Sequence, residues 1–273
     1  MQDSFDQKKQ AILKDLALNS EDSPDASPKG TVDVKCLPII HLINSNDHMV
    51  TTSSCSGRVS VFLEGVKEVQ QGDTKIGAKG NQGRWLFVTH DPDDLDDWHH
   101  NIEFHTSEEQ IPTDINTRYI LYKFEPLILH VKCRDQDTAK LLYTTAMNCG
   151  FRESGIGSNN IVAIRISIKL DVPIGYLNVR DESVLLVTKQ YLDVLTRLSH
   201  DRFRENFKKM DQLHASIETS LFSSRPSKPA EETKEQRRER KIREGLERKA
   251  ALQKAEKEKV QEQEKADTQI DNV

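Results

Sequence analysis

The densest run of groups able to do chemistry is Thr51-Thr52-Ser53-Ser54-Cys55-Ser56-Gly57-Arg58-Val59-Ser60-Val61. It ends in β-branched residues and carries no helix signal, which predicts a strand running on to Phe62. Side chains of a strand alternate between faces. Thr52, Ser54, Ser56, Arg58 and Ser60 are therefore expected on one face, with Cys55, Gly57, Val59 and Val61 turned toward a core. A row of hydroxyls ending in a guanidinium suits a polar ligand with a carboxylate or phosphate, because Arg grips such groups through two parallel hydrogen bonds. The same spacing also describes a solvated strand face with an incidental Arg, and spacing alone leaves both readings open.

Other polar groups fall at expected strand ends and turns: His90, His130, Arg134, Arg152, Glu153, Ser154 and Arg165. Imidazole titrates near neutral pH, so His90 and His130 can act as proton acceptors; a single His on a strand face is more often a hydrogen-bonded structural residue. Arg152-Glu153 reads equally as an ion pair that fixes a turn or as part of a ligand site. Trp85 and Phe151 can stack on a base, but beside apolar runs they fit a core. There is no Gly-x-Gly-x-x-Gly after a strand, no phosphate-loop lysine motif, no Gly-x-Ser-x-Gly and no His-Glu-x-x-His, which disfavours a doubly wound nucleotide-binding domain. Cys36, Cys55, Cys133 and Cys149 form no Cys-x-x-Cys pair. Neither a zinc motif nor a redox motif follows from them, and the acidic run Asp91 to Asp97 lacks further ligands at defined spacing. No metal site is expected.

The elements that must position these groups can be read in order. Phe5, Ile12, Leu13 and Leu16 predict a helix over 3–18, followed by a polar Pro/Ser/Gly connector, Asn19 to Gly30. Asp33 to Asn44 predicts a short helix whose start is blurred by Pro38. The loop Gln71 to Gly83 has four glycines but no helix start after it. Trp85 to His90 predicts a strand, as do Tyr119 to Lys123 and Pro126 to Arg134. In the last of these, Leu127, Leu129, Val131 and Cys133 share one face and Ile128, His130, Lys132 and Arg134 the other. Asp135 or Asp137 can cap the next helix and Gly150 can end it. A strand over Ile161 to Ile168 would complete a β-α-β unit. Val184 to Val187 predicts a short strand. From a Thr188 cap, Tyr191, Leu195, Leu198, Phe203, Phe207, Met210, Leu213 and Ile217 predict a long helix reaching about Leu221. Glu231 to Lys265 is dense in Glu, Lys, Arg and Gln, with opposite charges three or four apart. That pattern suits a solvated helix or a disordered tail.

Composition sets the frame. Over 273 residues, 36% are hydrophobic and 30% charged, more polar than one compact domain needs, and the excess charge sits in the C-terminal stretch. The expected division is 1–31 as helix and linker, 32–222 as an α+β domain, and 223–273 as a charged tail available for protein contacts. A net charge of −5 gives no global signal for nucleic acid, so RNA binding would need a local patch; Arg237 to Arg243 is locally basic. No stretch approaches the ~20 apolar residues of a membrane span, and the acidic N-terminus has no signal-peptide run. Widely spaced cysteines fit a reducing compartment. A cytoplasmic protein without membrane association is expected.

Taken together, Ser54-x-Ser56-x-Arg58, Trp85 through Val88-Thr89-His90, Lys123-Phe124-Glu125-Pro126, Leu129-His130-Val131 and Gly150-Phe151-Arg152-Glu153-Ser154-Gly155-Ile156 resemble the tRNA wybutosine-synthesizing protein 3 family over roughly residues 32 to 215. The resemblance implies a mixed-sheet, non-Rossmann α+β fold. It implies an S-adenosylmethionine-dependent enzyme that methylates N4 of the demethylwyosine-type base at position 37 of phenylalanine tRNA. The anticodon loop would be the partner, and the substrate would already carry an aminocarboxypropyl side chain. Within that reading, Ser54, Ser56 and Arg58 are expected to bind a carboxylate of cofactor or substrate. His130 or Glu153 would accept the proton. Arg152, Ser154, Arg165 and His90 would complete the pocket or meet phosphate. A non-catalytic tRNA-binding or scaffold protein, using the same polar face only to grip RNA, is the alternative.

Overall fold

The computed structural model describes residues 3–18, 32–66, 82–106, 111–112, 114 and 116–222. The connector at 19–31, the glycine-containing loop at 67–81 and the charged tail from 223 onward lie outside the described residues.

Two sheets share one helix. A four-stranded sheet has the order β1-β6-β8-β7 and a six-stranded sheet the order β3-β2-β5-β9-β10-β4. The strands are β1 (Met49–Cys55), β2 (Arg58–Leu63), β3 (Arg84–Thr89), β4 (Phe104–His105), β5 (Tyr119–Glu125), β6 (Ile128–Cys133), β7 (Gly155–Ile156), β8 (Ile161–Arg165), β9 (Leu170–Leu177) and β10 (Ser183–Leu185). The helices are α1 (Ser4–Leu18), α2 (Leu37–Ser45), α3 (Gln136–Asn148) and α4 (Lys189–Ile217). Among the described helices none is long and apolar enough to cross a membrane. The expected α+β class is what is observed, with the long helix at its C-terminal end.

The four-stranded sheet buries Leu129, Val131, Cys133, Val162 and Ile164 against Ile39, Ile40 and Ile43 of α2 and Ala139, Leu142 and Ala146 of α3. Met210, Leu213 and Ile217 of α4 close that core. The six-stranded sheet packs Val59, Val61, Ile120, Tyr122 and Phe124 on the other half of α4, through Leu192, Leu195 and Phe203. Local signals explain much of this. Asp135 caps α3, accepting from the Thr138 N–H at 2.7 Å, and Gly150 leaves that helix with φ +93°. Pro38 lies in the first turn of α2, where its missing N–H costs nothing. Thr188 caps α4.

Three expectations change. The strand predicted over Thr51 to Phe62 is two strands, β1 and β2, in different sheets. Gly57 breaks it with φ +106°, a conformation open to glycine at little cost. The expected shared face of Thr52, Ser54, Ser56, Arg58 and Ser60 therefore does not exist. Second, the strand that pairs with β6 after α3 is antiparallel. The chain passes from α3 into the two-residue β7, turns, and inserts β8 between β7 and β6. The β-α-β unit is thus β6-α3-β7, split by β8. Third, β9 carries Pro173 and Gly175 inside a strand, which hides it from propensity. A register shift between Ile120 and Leu121 accommodates Pro173, and at Gly175 an added Cβ would lie 2.6 Å from the Val184 carbonyl oxygen.

Candidate active site

The chain crosses between sheets three times, and two of the crossings, Ser56-Gly57 and Pro126-Leu127, form the junction. The two crossings lie side by side because Arg58 pairs with Glu125 in one sheet and Cys55 with Ile128 in the other. One buried side chain ties them together. Asn206 of α4, 0% exposed, accepts from the Leu127 N–H at 2.8 Å and donates to the Ser56 carbonyl at 2.7 Å. A Cβ on Gly57 would stand 3.0 Å from the Asn206 amide nitrogen and 3.2 Å from the Glu125 carbonyl. Asn206 escaped the sequence reading because it falls on the apolar stripe of a helix, where an amide carries no motif.

On the six-stranded side of the junction, Arg58 donates from Nε to Glu125 Oε2 at 2.8 Å. Its guanidinium lies 5.1 Å from the centre of the Trp85 ring. This places a cation, a carboxylate and an aromatic face together. Ser56 is 1% exposed and contributes its backbone: its N–H donates to Asp33 Oδ2 at 2.8 Å. Ser60 is also buried. Ser54 is half-buried opposite Leu129. Of the expected hydroxyl row, then, Ser56 and Ser60 are buried, and Arg58 supplies the charged group.

On the four-stranded side, the face away from α2, α3 and α4 gathers several expected residues. Arg165 Nη2 lies 3.2 Å from His130 Nε2. A guanidinium only donates, so Nε2 is the acceptor and the ring is neutral with its proton on Nδ1. Burial, and then the charge of Arg165, hold the His130 pKa below the ordinary histidine value of 6.5. Ser154 Oγ accepts from the Arg165 N–H at 3.1 Å, fixing the Phe151–Ser154 turn against β8. Glu153 is engaged by Lys169 at 2.9 Å. Arg152 is exposed on the turn, whereas Phe151 is fully buried and so belongs to the core. Arg134, just after the strand that carries His130, instead clamps Asp3, just before α1, and Asp6 within it, and lies over Phe5.

These two groups do not touch. Cys55 opposes Ile128 and Ile128 opposes Arg165, which sets the Cys55 and Arg165 strand positions roughly 10 Å apart at two inter-strand spacings. The site is therefore a strip across the junction, with Arg58, Glu125 and Trp85 at one end and His130, Arg165 and Ser154 at the other. Near the first end, Asp33, Cys55 and His90 bring a carboxylate oxygen, a thiol and an imidazole nitrogen within 4.8 Å of one another. Residues so distant in sequence leave no spacing signature. Burial foremost, helped by the negative charges of Asp33 and Glu125, pushes the Cys55 thiol pKa up, against a Gly57 N–H hydrogen bond and the Arg58 charge.

The arrangement defines an α+β class with its polar strip at a junction between two sheets, distinct from doubly wound nucleotide-binding enzymes. The PH1069 protein from Pyrococcus horikoshii OT3 has a similar fold, with a TM-score of 0.59 and 26% identity over 80% of this chain and 95% of that one. A family description, Methyltransferase TYW3, matches residues 7–219. The chain belongs to that family and is a methyltransferase. It is 53% identical to tRNA wybutosine-synthesizing protein 3 of Saccharomyces cerevisiae, over 92% of this chain and 96% of that protein. It is 40% identical to the Schizosaccharomyces pombe protein of the same name, over 80% and 88% respectively.

Proposed function

We propose that this chain transfers a methyl group from S-adenosylmethionine to N4 of the demethylwyosine-type base at position 37 of phenylalanine tRNA, a step in wybutosine synthesis in the cytoplasm. The observation that carries the reading is the strip itself: a cation–carboxylate–aromatic cluster at one end and a neutral, Arg-held imidazole at the other.

The donor set fits the cofactor. Arg58 suits its carboxylate, Glu125 its ammonium and Trp85 its flat ring. Bound there, S-adenosylmethionine would supply an electrophilic methyl on a sulfonium. The protein's part is alignment and proton removal; alignment alone can lower the barrier by several kcal/mol. At neutral pH His130 carries a lone pair, and Arg165 holds it. A substrate carboxylate that draws Arg165 into a two-pronged pair releases Nε2 to take the proton shed by the acceptor nitrogen. The aminocarboxypropyl side chain expected on the substrate provides such a carboxylate. Glu153, already paired with Lys169, serves the turn. Arg152 and Arg165, on the open face, are placed to meet anticodon-loop phosphates.

Mass spectrometry of position-37 nucleosides from cells lacking the protein tests the reading: the demethylated intermediate should accumulate and disappear on complementation. Saturable binding of S-adenosylmethionine to the purified chain without RNA separates this enzyme from a tRNA scaffold. Arg58→Lys, which loses the planar face over Trp85 and the Nε donor, should weaken that binding by about tenfold, or about 1.4 kcal/mol. A chain that binds phenylalanine tRNA but no S-adenosylmethionine would instead be the scaffold.

A further inference from the structure

Asp33, Cys55 and His90 come from three separate segments: the residue before the Val34–Cys36 turn, the last residue of β1 and the residue after β3. Their ligand atoms converge within 4.8 Å, and His90 Nε2 lies 3.8 Å from Asp33 Oδ2. Asp33 occupies the N-cap position of its turn yet makes no capping hydrogen bond with its side chain. Its carboxylate, nearly buried, turns inward and accepts the Ser56 N–H at 2.8 Å. That bond fixes the carboxylate in the way outer partners orient metal ligands. The sharp exit at Gly57 then leaves the Cys55 side chain beside it.

We propose that Asp33, Cys55 and His90 bind a zinc-type divalent ion. Thiolate, imidazole and carboxylate together are a zinc ligand set, and the thiolate argues against magnesium or calcium. Tetrahedral zinc spaces its ligand atoms at roughly 3.3–3.7 Å, given Zn–N and Zn–O near 2.1 Å and Zn–S near 2.3 Å. The cluster needs to close by only about an ångström. Three protein ligands leave a fourth position for water or a substrate atom, the pattern of catalytic rather than structural zinc. The ion replaces the Cys55 thiol proton, which passes to solvent. Through Cys55, which pairs with Ile128 and is followed by the Ser56–Gly57 crossing, the ion would stand beside the strip that binds substrate. The inference is independent of the methyl-transfer reading, and its readouts do not use methylation.

The test uses the full chain, purified without a polyhistidine tag and stripped with a chelator. Cobalt(II) titration should give a thiolate-to-metal charge-transfer band at one equivalent, and zinc should displace it. Cys55→Ser should abolish the band; Asp33→Asn and His90→Gln should each weaken metal binding tenfold or more. A spectrum without the thiolate band, or a band that survives Cys55→Ser, overturns the proposal. A second measurement needs no variant. Zinc should protect Cys55 from iodoacetamide while labelling of the other partly buried thiol, Cys149, is unchanged. Equal labelling of Cys55 with and without zinc also overturns it.

Discussion

The contact between Arg165 and His130 makes a pH prediction. The guanidinium charge disfavours a second proton on His130, and burial disfavours it more. Methyl transfer that needs the neutral ring should lose rate only below the ordinary histidine range. Arg165→Gln removes the charge but leaves the burial, so the acid limb of kcat/KM should move to higher pH while remaining below 6.5. An Arg that served only to bind RNA would lower the rate without moving the limb. Stability follows the same direction. The unfolded chain protonates this ring at a higher pH than the folded one, so stability falls as pH drops through 6.5 toward the folded value. His130→Gln should remove that part of the acid loss, measured as denaturation midpoint against pH. At this scale the sequence picked out Arg58, His130 and Arg165 as polar groups but not the contacts they make. Alternation was extended from Ser56 through Gly57 to Arg58; the positive φ at Gly57 breaks that strand, and Ser56 is buried at the break. The Arg165–His130 and Asp33–His90 pairings joined residues 35 and 57 positions apart, beyond the reach of any periodicity.

At the scale of elements, local signals were reliable wherever the period of an element runs unbroken. Alternation over Leu127 to Cys133 gave both faces of β6 correctly, and Asp135 and Gly150 bounded α3 as expected. The failures lie where tertiary contacts override local pattern: at β9, whose Pro and Gly are accommodated by neighbours, and at the β1–β2 break, whose consequence depends on Asn206. The break makes a sharp expectation. Gly57→Ala must hold an L-residue at φ +106°, costing about 1–3 kcal/mol, and also crowds the Asn206 amide. Asn206→Leu leaves the Ser56 carbonyl and Leu127 N–H without their side-chain partner, at about 1–3 kcal/mol for each buried group. Asn206→Asp keeps the acceptor for Leu127 but sets a buried carboxylate against the Ser56 carbonyl, so it should fall well below wild type. Urea midpoints would rank the three. Since the same crossing sets Cys55 and Arg58, S-adenosylmethionine affinity should fall in the same order under conditions where each variant is still folded. Wild-type midpoint and affinity for Gly57→Ala would show that the crossing does not need its glycine.

At the scale of the described molecule, α4 is the only helix whose buried residues belong to both cores. Over 29 residues, about 43 Å of helix, Leu192, Leu195 and Phe203 serve the six-stranded sheet and Met210, Leu213 and Ile217 the four-stranded one. The residues between them include Asn206, so the helix that joins the cores also pins the junction where the site lies. A cavity on one half of α4 should therefore be felt on the other. Phe203 is 1% exposed and meets Phe124 edge-on at 4.9 Å and Phe207 at 5.6 Å. Phe203→Ala should cost about 3–5 kcal/mol. Two native reporters lie in separate cores. Trp98 is in the six-stranded core, hydrogen-bonded to Thr196 of α4. Cys133 is in the four-stranded core, its thiol pushed up to about 12 chiefly by burial and hence inert until exposed. If α4 couples the cores, tryptophan fluorescence and Cys133 alkylation should shift to lower urea by the same amount in Phe203→Ala, as one transition. A fluorescence midpoint that moves while Cys133 keeps its wild-type protection would mean that the sheets unfold separately and that α4 is a tether rather than a common core.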